Sequence, residues 1–261
     1  MIRYAKTVLI VLVGGALLSA PGFVHAMTAH EILEEIAKRN LTDSFRVFLR
    51  ITTLKGKKAI SKHRIWLMGK NMGNGGAFFL DFESPEESKG LRILFRVTKG
   101  KKPTAYMFLP ATGRTLPLAA DDDSANIGET GLTMTDFLMF MPQAGESETI
   151  AREEKTDGKD CYVIKITPPG NRGHRLVWVT KDDFLILKTQ TIDTKGKVKR
   201  TFRVVEFFRN EKGREFPREE EIVIVDKKTR IRLRQENALF GIEISDEILD
   251  PKTFGKYKWR L

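Results

Sequence analysis

Two periodicities divide the chain. A short first stretch repeats its apolar residues every three to four positions, and most of the remainder repeats them every two. Thr28 and Glu31 stand three apart just ahead of Ile32, Leu33 and Ile36. Such a pair starts a helix, because each side chain satisfies a backbone N–H left orphaned by the other's neighbourhood. Asn40 closes the pattern, so a short amphipathic helix is expected. From Phe45 the period becomes two: Phe45, Val47, Leu49 and Ile51 alternate with Arg46 and Arg50. A Lys55-Gly56-Lys57 turn predicts a hairpin whose return strand runs over 65–68. A glycine-rich turn is expected over 69–76. Further strands are expected over 77–82, 91–97 and 106–109, the last stopped by Pro110 and Gly113, since proline has no ladder donor.

The middle of the chain differs. Residues 121–124 are polar, and 132–141 are rich in Met and Phe up to Pro142, which predicts one or two short helices. Strands resume at Ile150 and are expected over 161–167 and 174–179. A hairpin of 184–193 with 198–208 follows, then one of 221–225 with 229–233. In that last strand Arg230, Arg232 and Arg234 alternate with Ile231 and Leu233, the mark of one wet and one buried face. Residues 248–254 read as a closing helix or turn. The sum is ten or eleven antiparallel strands with helices only at the start, middle and end. No βαβ rhythm or fixed repeat appears, so the class is α+β: one curved antiparallel sheet with helices packed on a single face.

The ends add a compartment. Residues 1–26 have the layout of a secretory signal peptide. Arg3 and Lys6 precede an apolar run over 8–18 that is short for a membrane span, and Val24-His25-Ala26 offers a cleavage site before Met27. No cysteine follows the run, so lipidation there is not expected. The run Leu109-Pro110-Ala111-Thr112-Gly113 matches a sortase signal in letters, but the apolar run and basic tail that such a signal needs do not follow it.

The formal charge is +11, or +9 without Arg3 and Lys6. A basic exported protein can be drawn to anionic lipid, and nucleic acid is not an expected partner, because no motif for it is present. The single cysteine, Cys161, excludes an internal disulfide and lies in a strand-like run where a buried thiol is expected. No metal or cofactor site is legible: His30, His63 and His174 lack ligand spacing, and 121–124 lack the calcium-loop frame. No nucleophile elbow or phosphate loop is present, so no catalytic residue is assigned and the chain is not expected to be an enzyme.

What remains is the handling of apolar molecules. A curved sheet with helices across its concave side encloses an apolar cavity. Phe137, Leu138, Met139, Phe140 and Met141 are its expected lid, because methionine is pliable and polarizable; ordinary core is the competing reading. Trp66, Phe79, Leu94 and Phe108 are the expected facing wall, chosen among strands that carry aromatics on both faces.

The order of several short motifs resembles the outer-membrane lipoprotein-sorting protein family, the LolA-like periplasmic carriers. The first is Phe82-Glu83-Ser84-Pro85-Glu86-Glu87-Ser88-Lys89-Gly90. The second is Tyr106-Met107-Phe108-Leu109-Pro110-Ala111-Thr112-Gly113-Arg114. Gly158-Lys159-Asp160-Cys161-Tyr162-Val163 follows, and then Trp178-Val179-Thr180 leading to a Gly196-Lys197 turn. The resemblance covers 75–258. Tyr106 and Phe108 stand where the family usually has Trp and Tyr, and 126–130 lack its Ser-Asp-Phe. The resemblance implies a strongly curved, half-open antiparallel β-barrel with helices as a lid, forming one domain over 27–261. It implies a monomeric periplasmic carrier of lipid or lipoprotein acyl chains, served by an inner-membrane transporter or an outer-membrane acceptor. Arg114 would hold the lid or meet an anionic head group. A lipid-sensing regulator of envelope stress and an accessory subunit of a lipid-export pump are the alternatives.

The signal-peptide reading is checked by N-terminal sequencing of exported protein, which should begin at Met27; an exported form that retains residue 1 would refute it.

Overall fold

The computed structural model describes residues 26–41, 44–118, 126–138, 143–170, 172–211 and 213–258. The first element is α1 (Ala29–Leu41). Its start is the reciprocal cap expected of Thr28 and Glu31: the Thr28 N–H donates to the Glu31 carboxylate at 2.7 Å, and the Glu31 N–H donates to the Thr28 hydroxyl at 3.2 Å. Ile32, Leu33 and Ile36 are buried on one face of it.

Thirteen antiparallel strands follow. They are β1 (Phe45–Lys55), β2 (Lys58–Asn71), β3 (Gly75–Ser84), β4 (Arg92–Thr98), β5 (Thr104–Leu109) and β6 (Arg114–Leu118). After the short helix α2 (Met134–Leu138) come β7 (Ser147–Thr156), β8 (Lys159–Thr167), β9 (His174–Thr180) and β10 (Ile186–Ile192). The chain ends with β11 (Val198–Arg209), β12 (Glu215–Ile224) and β13 (Thr229–Phe240). They form one sheet in the order β6-β5-β4-β3-β2-β1-β13-β12-β11-β10-β9-β8-β7. Two meanders therefore meet at the β1–β13 pair, and β6 and β7 are the unjoined edges, so the sheet is curved but not closed.

The expected count of ten or eleven strands is corrected to thirteen among the described residues. Strand β6 was missed because Pro117 and a preceding turn hide a five-residue edge strand. The Leu109-to-Gly113 motif is the β5–β6 turn, with Gly113 at φ 63° donating to the Leu109 carbonyl at 2.9 Å. Strand β12 begins six residues earlier than expected, in a Glu-rich run that reads as exposed loop. Cross-strand ion pairs support it there: Glu219 meets Arg234 at 3.0 Å, and Glu221 meets Arg203 at 3.0 Å and Arg230 at 3.2 Å. The expected glycine turn over 69–76 is present but shorter: β2 continues to Asn71, and the chain reverses over 72–74, with Gly73 at φ 78°, before β3 begins at Gly75. Gly69 lies opposite Phe45, where a side chain would enter the Phe45 ring at 2.4 Å, so the glycine makes room rather than a turn.

Curvature follows from what α1 touches. It contacts both β2 and β7, eight places apart in the sheet order. At ~4.8 Å per strand a flat sheet would separate them by about 38 Å, several helix diameters. The sheet must curl around α1, and its concave face holds the main core, which joins α1 and α2 to residues of both meanders. Lys99, in the turn after β4, reaches Glu34 of α1 at 2.5 Å, while His30 of α1 lies 3.9 Å from Glu148 of β7. The helix thus bridges the two halves across the mouth of the curl.

The convex side carries a second core. Residues 241–258 fold back over β2–β5, and Ile244, Ile248, Leu249 and Phe254 bury Met68, Ala77, Phe79 and Leu94. Arg92 fastens this cover. One of its nitrogens donates to the carbonyls of Phe254, Gly255 and Tyr257 at 3.1, 3.0 and 2.8 Å, and the side chain pairs with Asp81 at 3.2 Å. Cys161 is buried against Leu185 and Leu187, and burial pushes its thiol up.

Phe79 is fully buried in the second core and meets Phe254 edge to face at 6.4 Å. Phe79→Ala should therefore cost about 3–5 kcal/mol, read from denaturant unfolding; a loss under about 1 kcal/mol would show that the C-terminal segment is not seated there.

Candidate functional site

Inward positions of the strands do not fill the curl completely. A cavity of about 220 Å³ remains, well above the size at which an apolar void stays dry and takes up apolar solutes. Phe45, Val47 and Leu49 of β1 line it, with Leu67, Phe78 and Phe95 from β2, β3 and β4. The facing wall comes from the second meander: Ile186, Phe202, Phe216, Ile222, Leu233 and Phe240. These positions recur at intervals of two because successive strand residues point to opposite faces.

Residues 126–138 cross the concave side and lend it Leu132 and Phe137, whose ring lies 5.4 Å from that of Phe95. They are fastened to strands of both halves. The Thr53 hydroxyl donates to the Thr130 carbonyl at 2.6 Å, and Arg200 of β11 donates to the Asp136 carboxylate at 2.6 Å and to the Gly131 carbonyl at 3.2 Å. Burial pushes the Asp136 carboxyl up, and the Arg200 guanidinium pulls it back.

Two polar features interrupt the apolar lining. Glu220 of β12 points to the same side as Ile222, into the cavity. Burial raises its pKa to about 7, opposed by a hydrogen bond from Gln235. At the end of the cavity nearest the C-terminus of α1, Arg39 and Arg214 also line the wall. Among the described residues, no group of His, Cys, Asp and Glu could hold a metal ion.

The expected wall proves to be displaced by one residue on each strand. Leu67 lines the cavity and Trp66 does not; Phe78 does and Phe79 does not; Phe95 does and Leu94 does not. On β5, Met107 packs with the concave core while Phe108 packs with the convex one. Phe79, Leu94 and Phe108 lie beneath the C-terminal cover, and Trp66 stands against Phe48 at 4.8 Å. The physical reason is the strand period of two: one step inverts every side chain, and aromatics on both faces left the choice open. Their doubling reflects the second core rather than cargo. Phe137 lines the cavity and Leu138 is buried in the core beside it. Met139, Phe140 and Met141 lie outside the described residues, as do 121–124. Arg114 is exposed at the start of β6, opposite Leu109, and does not line the cavity. Sequence reasoning missed Glu220, Arg39 and Arg214; Glu220 had a legible signal in its spacing of two from Ile222.

Comparison with known proteins places the fold. A protein-family profile whose description reads "Uncharacterized protein" matches residues 75–256. No curated protein matches the sequence. Among solved structures, a domain assigned as an outer-membrane lipoprotein-sorting protein from Vibrio parahaemolyticus superposes with a TM-score of 0.75 at 15% identity, covering 87% of this chain and 100% of that one. A DUF1329 family protein from Desulfovibrio piger gives 0.72 at 16% identity, covering 85% and 97%. A LolA superfamily protein from Nitrosomonas europaea gives 0.63 at 19% identity, covering 86% and 98%.

The half-buried Glu220, set among the apolar lining, makes stability depend on pH. Its folded pKa lies above the ordinary 4.5, at about 7. The native state thus binds the extra proton between those values, and stability falls as pH rises through that window. At ~1.4 kcal/mol per pKa unit, the loss is as much as about 3 kcal/mol. Glu220→Gln should remove this slope: melting curves of variant and wild type should lie close at pH 4 and separate, the variant higher, by pH 8. Parallel curves would place the carboxyl in water.

Proposed function

We propose, from its membership of the family whose profile matches residues 75–256 and from the fold it shares with lipoprotein-sorting and LolA superfamily structures, that the chain is a LolA-like periplasmic carrier whose cavity receives the acyl chains of a lipid or lipoprotein. The observation that carries this reading is the apolar, aromatic-lined cavity left inside the curl. Carriage needs burial and no covalent chemistry. Each methylene moved from water into such a wall contributes ~0.8 kcal/mol, so a chain of a dozen carbons gains roughly ten before the losses of ordering and association.

In this reading residues 1–26 direct export, 27–261 act as one monomeric domain, and the protein binds rather than catalyses. Residues 126–138 form the floor or lid against which the chain lies. The cargo comes from an inner-membrane transporter or leaves to an outer-membrane acceptor. The likeness to a lipoprotein-sorting domain supports the carrier role over simple structural packing, because a fully packed core would leave no void of this size.

Phe137→Asp places a charge on the cavity wall. It should weaken binding of a fluorescent acyl probe tenfold or more, equivalent to ~1.4 kcal/mol or above, with a small change in melting temperature. Ile231→Asp, at a position with no exposure in the concave core, should instead unfold the protein through an unpaired buried charge. If Phe137→Asp melts like Ile231→Asp, α2 is plain core and the lid reading fails.

A further inference from the structure

Pairing register brings three hairpin turns to one level at the same end of the sheet. Lys55 of β1 lies opposite Thr229 of β13, Thr229 opposite Ile224 of β12, Ile224 opposite Arg200 of β11, and Arg200 opposite Thr191 of β10. Just beyond that line the chain reverses three times. The β1–β2 turn carries Lys55, Lys57 and Lys58. The β10–β11 turn carries Lys195, Lys197 and Lys199, and the β12–β13 turn Lys227 and Lys228. Neighbouring turns stand two strands apart, so at ~4.8 Å per strand the row is about 20 Å long. It projects beyond the sheet beside it, because β3 stops opposite Arg64, six residues short of Lys58. Glu86 and Glu87, which follow β3, bound the row on that set-back side.

The row contains two acidic residues, and both are engaged within it. Asp226 pairs with Lys199. Asp193 accepts the backbone N–H groups of Lys195 and Lys197, each at 2.9 Å, and the Lys197 N–H above all holds its carboxyl below the usual range. Among the described residues no carboxylate lies within ion-pair distance of Lys55, Lys57, Lys58, Lys195, Lys227 or Lys228, and all six are exposed. At the opposite end of β9–β12 the turns mix both signs: Asp182, Asp183 and Glu211 stand with Lys181 and Arg214. Two of the five exposed large apolar side chains among the described residues also stand in the row, Ile60 at 55% and Val225 at 44%.

We propose that this row is a docking surface for an anionic lipid bilayer. Separate charges spread over about 20 Å are too far apart for one phosphate or carboxylate to bridge. Lysines are hydrated point charges on flexible stems, which meet a plane of anionic head groups without a fixed geometry. Ile60 and Val225, apolar among cations, suit shallow entry at the head-group level. Docking by this row turns the anchorage of 126–138 toward the membrane. Thr53, which donates to the Thr130 carbonyl, stands two residues from Lys55, and Arg200, which donates to Asp136, stands next to Lys199. The docking surface does not depend on what the cavity holds.

The test is cosedimentation of the protein, purified after export, with vesicles of phosphatidylcholine alone and of phosphatidylcholine with about 30 mol% phosphatidylglycerol. Wild type should bind the anionic vesicles at least tenfold more tightly than the neutral ones. Raising salt from ~0.05 to ~0.5 M should remove most of that preference through screening. Lys227→Gln together with Lys228→Gln should weaken binding to anionic vesicles about tenfold or more. Lys101→Gln together with Lys102→Gln removes the same charge from exposed positions in the β4–β5 turn, at the opposite end of the sheet, and should change binding less than twofold. Ile60→Ser should weaken binding several-fold. Phe137→Asp alters the cavity and not the row, so it should dock as wild type does. Equal binding to the two vesicles, or equal losses from the two lysine pairs, overturns the row as a docking surface and leaves the cavity reading standing. A loss in Phe137→Asp would show that vesicle lipid is drawn into the cavity, and it would overturn the row while supporting that reading. Capture of poly-glutamate without binding to vesicles would make the row a surface for acidic protein and overturns membrane docking.

Discussion

Everything in this fold depends on curling a thirteen-stranded sheet until β2 and β7, eight places apart, meet the same helix. A sheet so bent has two faces with different problems. The convex face is stretched and must be covered or charged. The concave face is compressed and must be filled by something narrower than another sheet. Here α1 and the segment 126–138 fill it, and neither is large enough to fill it all. The cavity is a geometric remainder of the curl, and it is apolar because every strand presents its inward alternate residues to it.

The convex face solves its problem in two ways. Over β2–β5 it is closed by the C-terminal segment, which Arg92 clamps through the carbonyls of Phe254, Gly255 and Tyr257. Over β11–β13 it is left wet and laced by ion pairs centred on Glu221, which is itself nearly inaccessible between Arg203 and Arg230. The first device adds apolar burial. The second fixes the register of β12 against β11 and β13, where a slip of one residue would send Ile231 and Leu233 outward. With the convex side rigid, under-packing is confined to the concave side. That is where a ligand site needs unfilled space and where Glu220 can sit without a counter-charge.

Much of this was legible along the chain. The reciprocal Thr28–Glu31 cap, the switch of period at Phe45 and the alternating arginines of β13 each rest on contacts within a few residues, and each formed as the local chemistry demands. The curved antiparallel class followed from them. What was not legible depended on partners distant in sequence. The cavity wall was placed one residue off on each of its strands, because both faces of β3 are aromatic and only the position of residues 241–258, some 160 residues further on, decides which face is outer. The first six residues of β12 were not expected as strand because glutamates are strand-poor on their own, whereas Arg234 opposite Glu219 makes it a good strand residue in place. Glu220 was hidden in the same run, and nothing along the chain singles out Arg39 or Arg214, which come to line the cavity only where the helix end and the start of β12 meet.

The central claim is that the remainder inside the curl is occupied by acyl chains. Its most direct test is native mass spectrometry of the full-length protein purified, without added detergent, from the envelope of the cell that makes it. The account predicts a bound lipid or acylated adduct that leaves on denaturation and is depleted in Phe137→Asp. Protein that flies at its bare mass, from wild type and variant alike, would contradict it.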